Sequence, residues 1–251
     1  MEVGLISIIM AAYNAEKTIS QAIDSVLQQT YSEFELIVIN DCSTDRTADI
    51  VKAYSDSRIR FIENKENQGV SKTRHAGALA AKGDWIAILD SDDMWTADKL
   101  EKQVLLQEKT KAELLYTGSS FIKADGTPID WVMRVPEVLD YKNLLKQNLL
   151  SNSSSLVKKE LFLNNETIDD GLHEDFACWL KILKTGIKAY GVDEPLLIYR
   201  LTSTSKSGNK FRAAKMNWNT YQAIGLNPVV AVYYMCCYIR NGLKKYRNLK
   251  G

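Results

Sequence analysis

Three short aliphatic runs, each closed by polar residues, constrain this chain more than any other feature. Leu5–Met10 (LISIIM), Phe34–Ile39 (FELIVI) and Trp85–Leu89 (WIAIL) carry apolar side chains at nearly every position. A strand with one wet face alternates apolar and polar residues, so runs this continuous predict strands covered on both faces. Helix patterns lie between them. Ile19, Ala22, Ile23, Val26 and Leu27 recur at helical spacing within Thr18–Gln29, Ser43-Thr44-Asp45 can cap a helix from about Arg46, and Ser71–Ala81 is alanine-rich. Ile59–Ile62 reads as another strand, and Thr96 as the cap of a helix from Ala97 to about Lys109. Strands and helices alternating over short connections predict an α/β fold with a mostly parallel central sheet flanked by helices.

The second half is less regular. Leu114–Ile122 reads as a strand, Asp125-Gly126 as a turn, and residues 136–165 as loops and short helices with a polar run at Ser151–Ser155. Glu174–Thr185 has a helical apolar pattern ending at Gly186, followed by strands at Lys188–Val192 and Leu196–Leu201. A polar loop, Thr202–Asn209, precedes a helical region that is broken near Asn227-Pro228. With 251 residues, 45% of them apolar, the chain is too apolar for disorder and can bury one large domain with a small appendage. The N-terminus shows no signal-peptide pattern, and Cys42, Cys178, Cys236 and Cys237 form no CxxC or ligand-like spacing. A reducing cytosol and no structural zinc are the expectation.

Ligands of open α/β sheets bind at the carboxyl ends of the strands. Three polar clusters follow directly on buried strands here: Tyr13-Asn14, Asp41, and Asp90-Ser91-Asp92-Asp93. One such cluster alone is an ordinary turn and helix cap. Three on one sheet edge, two of them acidic, crowd negative charge that calls for a hard divalent cation with oxygen ligands. The first turn, Ala11-Ala12-Tyr13-Asn14-Ala15, lacks the glycines of a dinucleotide cradle, and no P-loop sequence occurs. A phosphatase with an aspartyl nucleophile would account for Asp90 and Asp92 but for neither Tyr13 nor Asp41.

The segments SIIMAAYNAEKTI, VINDCSTDRT, NQGVSKTRHAG, WIAILDSDDMW, HEDFACWLKILKTG and PLLIYR, in that order, resemble the family-two glycosyltransferases over about residues 5–205. The resemblance implies the GT-A fold, a Rossmann-like α/β architecture, with residues 1–110 as the nucleotide-binding half, 111–205 as the acceptor-binding half, and 206–251 as a basic and apolar helical extension. It implies an inverting, metal-dependent transfer from a nucleotide sugar, a UDP-sugar being favoured. Tyr13 then packs on the base, flanked by Ala11 and Asn14, Asp41 takes the uracil edge, and Arg74 is the basic residue of the nucleotide site. Asp90, Ser91 and Asp92 form the DxD that touches ribose and holds Mn²⁺ or Mg²⁺, and Asp93 could share the metal. Asp175 matches the catalytic base; without the other motifs it would read as a first-turn acid favoured by the helix dipole. Ala11 stands where the family usually has proline, Asn40 replaces an acid, and His75 replaces an asparagine. Trp179 and Leu180 read as core. A non-catalytic nucleotide-sugar or glycan-binding subunit of the same fold is the other reading.

Charge is unevenly spread. The chain carries +1 overall, yet Glu194 is its last acid and ten basic residues follow it. Val229–Ile239 (VVAVYYMCCYI), begun by Pro228, is an unbroken apolar or aromatic stretch followed by Arg240, Lys244, Lys245, Arg247 and Lys250. As a helix, such a stretch rises roughly 16 Å, about half of a bilayer's hydrocarbon core. A span is not expected. Either the segment docks on an anionic membrane surface or it packs on the catalytic domain with its basic residues in water, and the two are compatible. The expected partners are a nucleotide-sugar donor, a glycan or polyprenyl-diphosphate-linked acceptor and that membrane surface, with no nucleic acid. The expected location is cytoplasmic, peripheral on the inner face of the plasma membrane, in cell-surface polysaccharide synthesis.

Overall fold

A computed structural model describes residues 3–169, 171–202 and 210–250. The aliphatic runs form β1 (Ile6–Ala12), β2 (Phe34–Asn40) and β4 (Trp85–Ile88), with β3 (Ile59–Glu63) beside β2. These four are parallel, in the order β3-β2-β1-β4, and Ala12 pairs with Asn40 at their carboxyl edge. The period-two alternation within each run sorts the core into two halves. Ile9, Ile37, Ile39, Ile86 and Ile88 face one side of the sheet, while Ile8, Met10, Leu36, Val38 and Ala87 face the other.

Each face has its helices. On the second side, α1 (Ile19–Leu27) buries Ile19, Ala22, Ile23 and Val26, and α4 (Lys99–Thr110) buries Leu100 and Val104. On the first side lies α3 (Val70–Ala80). Its Gly77 is required there: a Cβ would lie 2.7 Å from Ile9 Cγ2 and 2.9 Å from Ile39 Cδ1. That close approach holds α3 against β1 and β2, and with it Arg74, one turn earlier. The short α2 (Thr47–Lys52) has Arg46, which makes no side-chain cap, at its N-cap position; Asp45, one residue earlier, accepts at Oδ1 from the first helical amide, Thr47, at 3.0 Å. Thr96 behaves otherwise. Its hydroxyl bonds the Asp98 carboxylate at 2.8 Å and the helix begins at Lys99, two residues later than expected.

Beyond β4 the sheet continues through β9 (Leu156–Lys158), antiparallel to both neighbours, then β6 (Leu114–Lys123), β10 (Ala189–Leu201) and the two-residue β5 (Met94–Trp95). Strand β7 (Pro128–Met133) makes the hairpin with β6 around Gly126, and β8 (Val138–Leu139) pairs with β10. The two strands expected between 188 and 201 are one, β10, whose register against β6 slips between Val192 and Leu197 and so absorbs Asp193-Glu194-Pro195. The stretch 136–165 contains α5 (Tyr141–Lys146), a 3₁₀ turn at Asn152–Ser154 and α6 (Lys159–Asn165) as well as β9.

Helix α7 (Glu174–Lys184) buries Phe176, Ala177, Trp179, Leu180 and Leu183 against the first face, so Trp179 and Leu180 are core. The last two helices are α8 (Lys210–Ala223) and α9 (Pro228–Lys250). Gly225, at φ 71°, turns the chain between them, and Asn227 Oδ1 accepts from the Val229 amide at 2.9 Å, with Pro228 at the first helical position. Tyr221, Ile224 and Ala231 join the core on the first face of the sheet. Of the expected loop Thr202–Asn209, residues 203–209 lie outside the described residues.

Candidate active site

Parallel strands in register place their following residues on one edge, and the edge opens into a cavity of about 880 Å³. Tyr13 lines it with half its surface exposed (52%), as an aromatic platform for a flat ligand would be. Ala11 lines it too, whereas Asn14 does not. Asn14, at φ 49°, turns its side chain to the Thr44 amide at 2.9 Å and ties the β1 loop to the β2 loop. Asp41 lines the cavity but is nearly buried. Its Oδ1 accepts from Asn64 Nδ2 (2.8 Å) and the Gln68 amide (2.9 Å), and its Oδ2 from the Gly69 amide (2.9 Å). A carboxylate has about four acceptor positions. One remains on Oδ2 for an imide N–H.

After β4, Asp90, Ser91 and Asp92 line the cavity. Burial first, and the charge of Asp90 second, push the Asp92 carboxyl up to about 6. Asp93 points elsewhere: it is buried, does not line the cavity, and its Oδ1 accepts from the Arg200 amide at 2.9 Å. Arg200 is the anchor of this loop. Its Nε donates to the Asp92 carbonyl (2.9 Å) and its Nη2 to Gln21 (2.6 Å), binding the acidic turn to β10 and α1. Among the described residues no group of three or more His, Cys, Asp or Glu could hold a metal by itself. Asp92 and Asp90 still fit Mg²⁺ or Mn²⁺, because such ions bind through one or two carboxylates completed by substrate phosphates and water.

Arg74 joins this edge to α7. The guanidinium is nearly buried; Nη2 binds Asp90 Oδ1, and Nη1 donates to Glu174 Oε1 at 2.9 Å. Burial works against its charge, but the two carboxylates outweigh that and raise its pKa further. Reoriented, the Asn152 amide oxygen also accepts from Arg74 Nη1 and Nε, at 3.1 and 3.2 Å. Thus Arg74 spans from the DxD turn to the first residue of α7, and Asp175, next in sequence, lines the same cavity. Burial, then the neighbouring charge of Glu174, raises the Asp175 pKa, while His173 and Arg74 draw it partly back. A carboxylate so placed is a better proton acceptor than a solvated one. His75 is elsewhere, paired through Nδ1 with Glu166 and not lining the cavity.

Sequence reasoning missed Glu174, Arg200 and Tyr199 as site residues, although each sits inside a quoted motif. Their partners are 100 or more positions away for Arg74–Glu174 and Arg200–Asp93, which no local spacing reveals. It also missed that α8 and α9 wall the cavity, through Ala213 and Ala214 and through Tyr238, Ile239, Gly242 and Leu243.

The family model for glycosyl transferase family 2 matches residues 7–167, well over half of the chain. The chain belongs to this family. It is an α/β glycosyltransferase of GT-A fold. Two relatives match over nearly their whole length. TuaG of Bacillus subtilis (strain 168), named for teichuronic acid biosynthesis as a glycosyltransferase, is 37% identical over 96% of this chain and 97% of its own length. WfgD of Escherichia coli, named as a UDP-Glc:α-D-GlcNAc-diphosphoundecaprenol β-1,3-glucosyltransferase, is 37% identical over 98% and 96%. Among solved structures, S. aureus TarS 1–349 in complex with UDP-GlcNAc superposes with a TM-score of 0.71 at 18% identity, over 94% of this chain and 70% of that one. No helix among the described residues is long and apolar enough to cross a membrane.

Proposed function

We propose that this glycosyltransferase moves a sugar, with inversion, from a nucleotide sugar to a hydroxyl of a glycan carried on polyprenyl diphosphate, in cell-surface polysaccharide synthesis. The observation that carries this is the Asp90–Arg74–Glu174 bridge, which brings the strand-end acids and Asp175 to one cavity. Tyr13 stacks on the base and the open position of Asp41 Oδ2 takes the imide N–H of uracil, so a UDP-sugar is favoured. The ionised Asp175 takes the acceptor hydroxyl's proton as that oxygen attacks the anomeric carbon. The new glycosidic bond forms on the face opposite the departing nucleoside diphosphate, which leaves with the bonding electron pair. Mn²⁺ or Mg²⁺ held by Asp92 and Asp90 would neutralise charge on that diphosphate. WfgD, named for UDP-Glc and an undecaprenol-linked acceptor, and TarS, solved with UDP-GlcNAc, support the donor and acceptor classes. A mannosyltransferase of Pyrobaculum calidifontis, similar in fold, was solved with GDP-Man and Mn²⁺.

The enzyme works, in this reading, as a peripheral protein on the cytoplasmic face of the membrane. Helix α9 has two faces. Ala231, Tyr234, Met235 and Tyr238 face protein, whereas Val229, Val232, Tyr233, Cys236 and Leu243 form an exposed stripe at helical spacing. Arg240, Lys244 and Arg247 are exposed with it. An apolar stripe with a basic cluster gives the two signals that stable peripheral binding requires.

Calorimetry with UDP, with and without Mn²⁺, tests the donor half: metal-enhanced UDP binding is expected, and no binding of any nucleoside diphosphate in either condition refutes it. Co-sedimentation with vesicles containing anionic lipid tests the membrane half: salt-sensitive binding is expected, and indifference to lipid charge refutes it.

A further inference from the structure

The cavity is longer than its donor end needs. From Asp90, Asp92 and Asp175 it runs to α9, where Tyr238, Ile239, Gly242 and Leu243 form the far wall. Positions i, i+1, i+4 and i+5 make one helical face. Ile239 and Leu243 line the cavity and are also 47% and 59% exposed, so they stand at its rim. The outward stripe Val229, Val232, Tyr233 and Cys236 leads along the same helix to that rim. An apolar path therefore joins the outer surface of α9 to the catalytic cavity.

Gly242 sits inside α9, where glycine is less favourable than alanine by roughly 1 kcal/mol. Packing does not call for it: a Cβ built there meets nothing within 4 Å. What the missing side chain leaves is room, on the cavity side of the helix.

We propose that Tyr238, Ile239, Gly242 and Leu243 form the subsite for the first isoprene units of a lipid-linked acceptor. The first isoprene units lie over the gap at Gly242 between the rim residues, and the diphosphate and acceptor sugar extend from there through the cavity towards Asp175. This rests on the lipid-linked acceptor proposed above. It adds where that lipid enters and why the helix that meets the membrane also walls the active site.

The test uses the full chain, saturated with UDP and Mn²⁺ so that the donor site is filled, and farnesyl diphosphate as a sugar-free probe. Wild type should bind the probe and bind inorganic pyrophosphate far more weakly. Gly242→Trp, and to a smaller degree Gly242→Leu, should weaken the probe by about tenfold or more. UDP affinity should stay within about twofold, which also reports that the variants fold. Gly242→Ala should keep the probe and hold or raise Tm. If wild type binds the probe and Gly242→Trp binds it equally, the subsite lies elsewhere while the lipid-linked acceptor stands. If wild type binds UDP but never the probe, the acceptor reading falls and this inference with it. Equal binding of pyrophosphate and probe overturns the isoprene contact.

Discussion

The two ends of the cavity are built by different means. At the donor end, four parallel strands in register deliver Tyr13, Asp41 and Asp90 to one edge, and the geometry repeats a local rule: a buried strand, then a polar turn. At the acceptor end no such rule operates. Ala213, Ala214, Tyr238 and Gly242 come together because α8 and α9 fold back on α5 and α7, with Tyr221 bonding the Leu145 carbonyl at 2.6 Å. The donor end is thereby rigid and repetitive, and the acceptor end is a packed wall that can differ between relatives without disturbing the sheet. Arg74 and Glu174 are the seam between them.

The largest expected effect comes from removing the proton acceptor while leaving both ends in place. Asp175→Asn should lower kcat by about 10²- to 10⁴-fold. UDP binding with Mn²⁺ should remain within a few-fold of wild type, because the strand-end residues are untouched. Comparable losses of turnover and of UDP affinity would show that the ends are not separable in this way. The pH profile carries the same test. Asp175 must be ionised to act, and its pKa is raised above the usual 3.8. Activity should therefore fall, as pH drops, at a higher pH than an ordinary aspartate would give, and that acid limb should vanish in the residual activity of Asp175→Asn.

Next comes the seam itself. Arg74→Leu removes the guanidinium that bridges Asp90 and Glu174, and removing one partner of a buried pair typically costs about 3–5 kcal/mol. At roughly 2–4 °C per kcal/mol for a chain of this size, a Tm fall on the order of 10 °C is expected in a thermal melt. A fall of only a degree or two would mean that the bridge is solvent-screened and orders nothing.

This division also explains what could be read before folding. β1, β2 and β4 are covered on both faces, which is why they appear as unbroken apolar runs and why the residues after them could be named. β5 and β9, of two and three residues, exist only because β10, β4 and β6 supply partners, and no run that short carries a periodic signal. Asp93 looked equivalent to Asp92 in the tetrapeptide; the amide of Arg200, 107 positions away, turns it from the cavity. Asn14 likewise directly follows the cavity residue Tyr13 in sequence but serves the Thr44 amide. For α9 the composition left docking on a membrane and packing on the catalytic domain both open; one face does pack on protein, but its place in the cavity wall depended on contacts with α5 and α8 that the pattern does not encode.

The smallest predicted effect bears on the acceptor end alone. Asn227 caps α9 through Oδ1 to the Val229 amide, one of the donors that a helix start leaves unsatisfied. Replacing such a cap by alanine costs about 1 kcal/mol, so Asn227→Ala should lower Tm by about 2–4 °C. If that loss is local fraying, hydrogen exchange should quicken at the first turn of α9, around Val229 and Val230, and not in β1 or β2. UDP affinity should be unchanged, and vesicle binding should weaken, because Val229, Val232 and Tyr233 lie in the first two turns of the exposed stripe. Faster exchange in β1 as well would mean that α9 and the sheet unfold as one unit, and the separation between a rigid donor end and an adaptable acceptor wall would have to be given up.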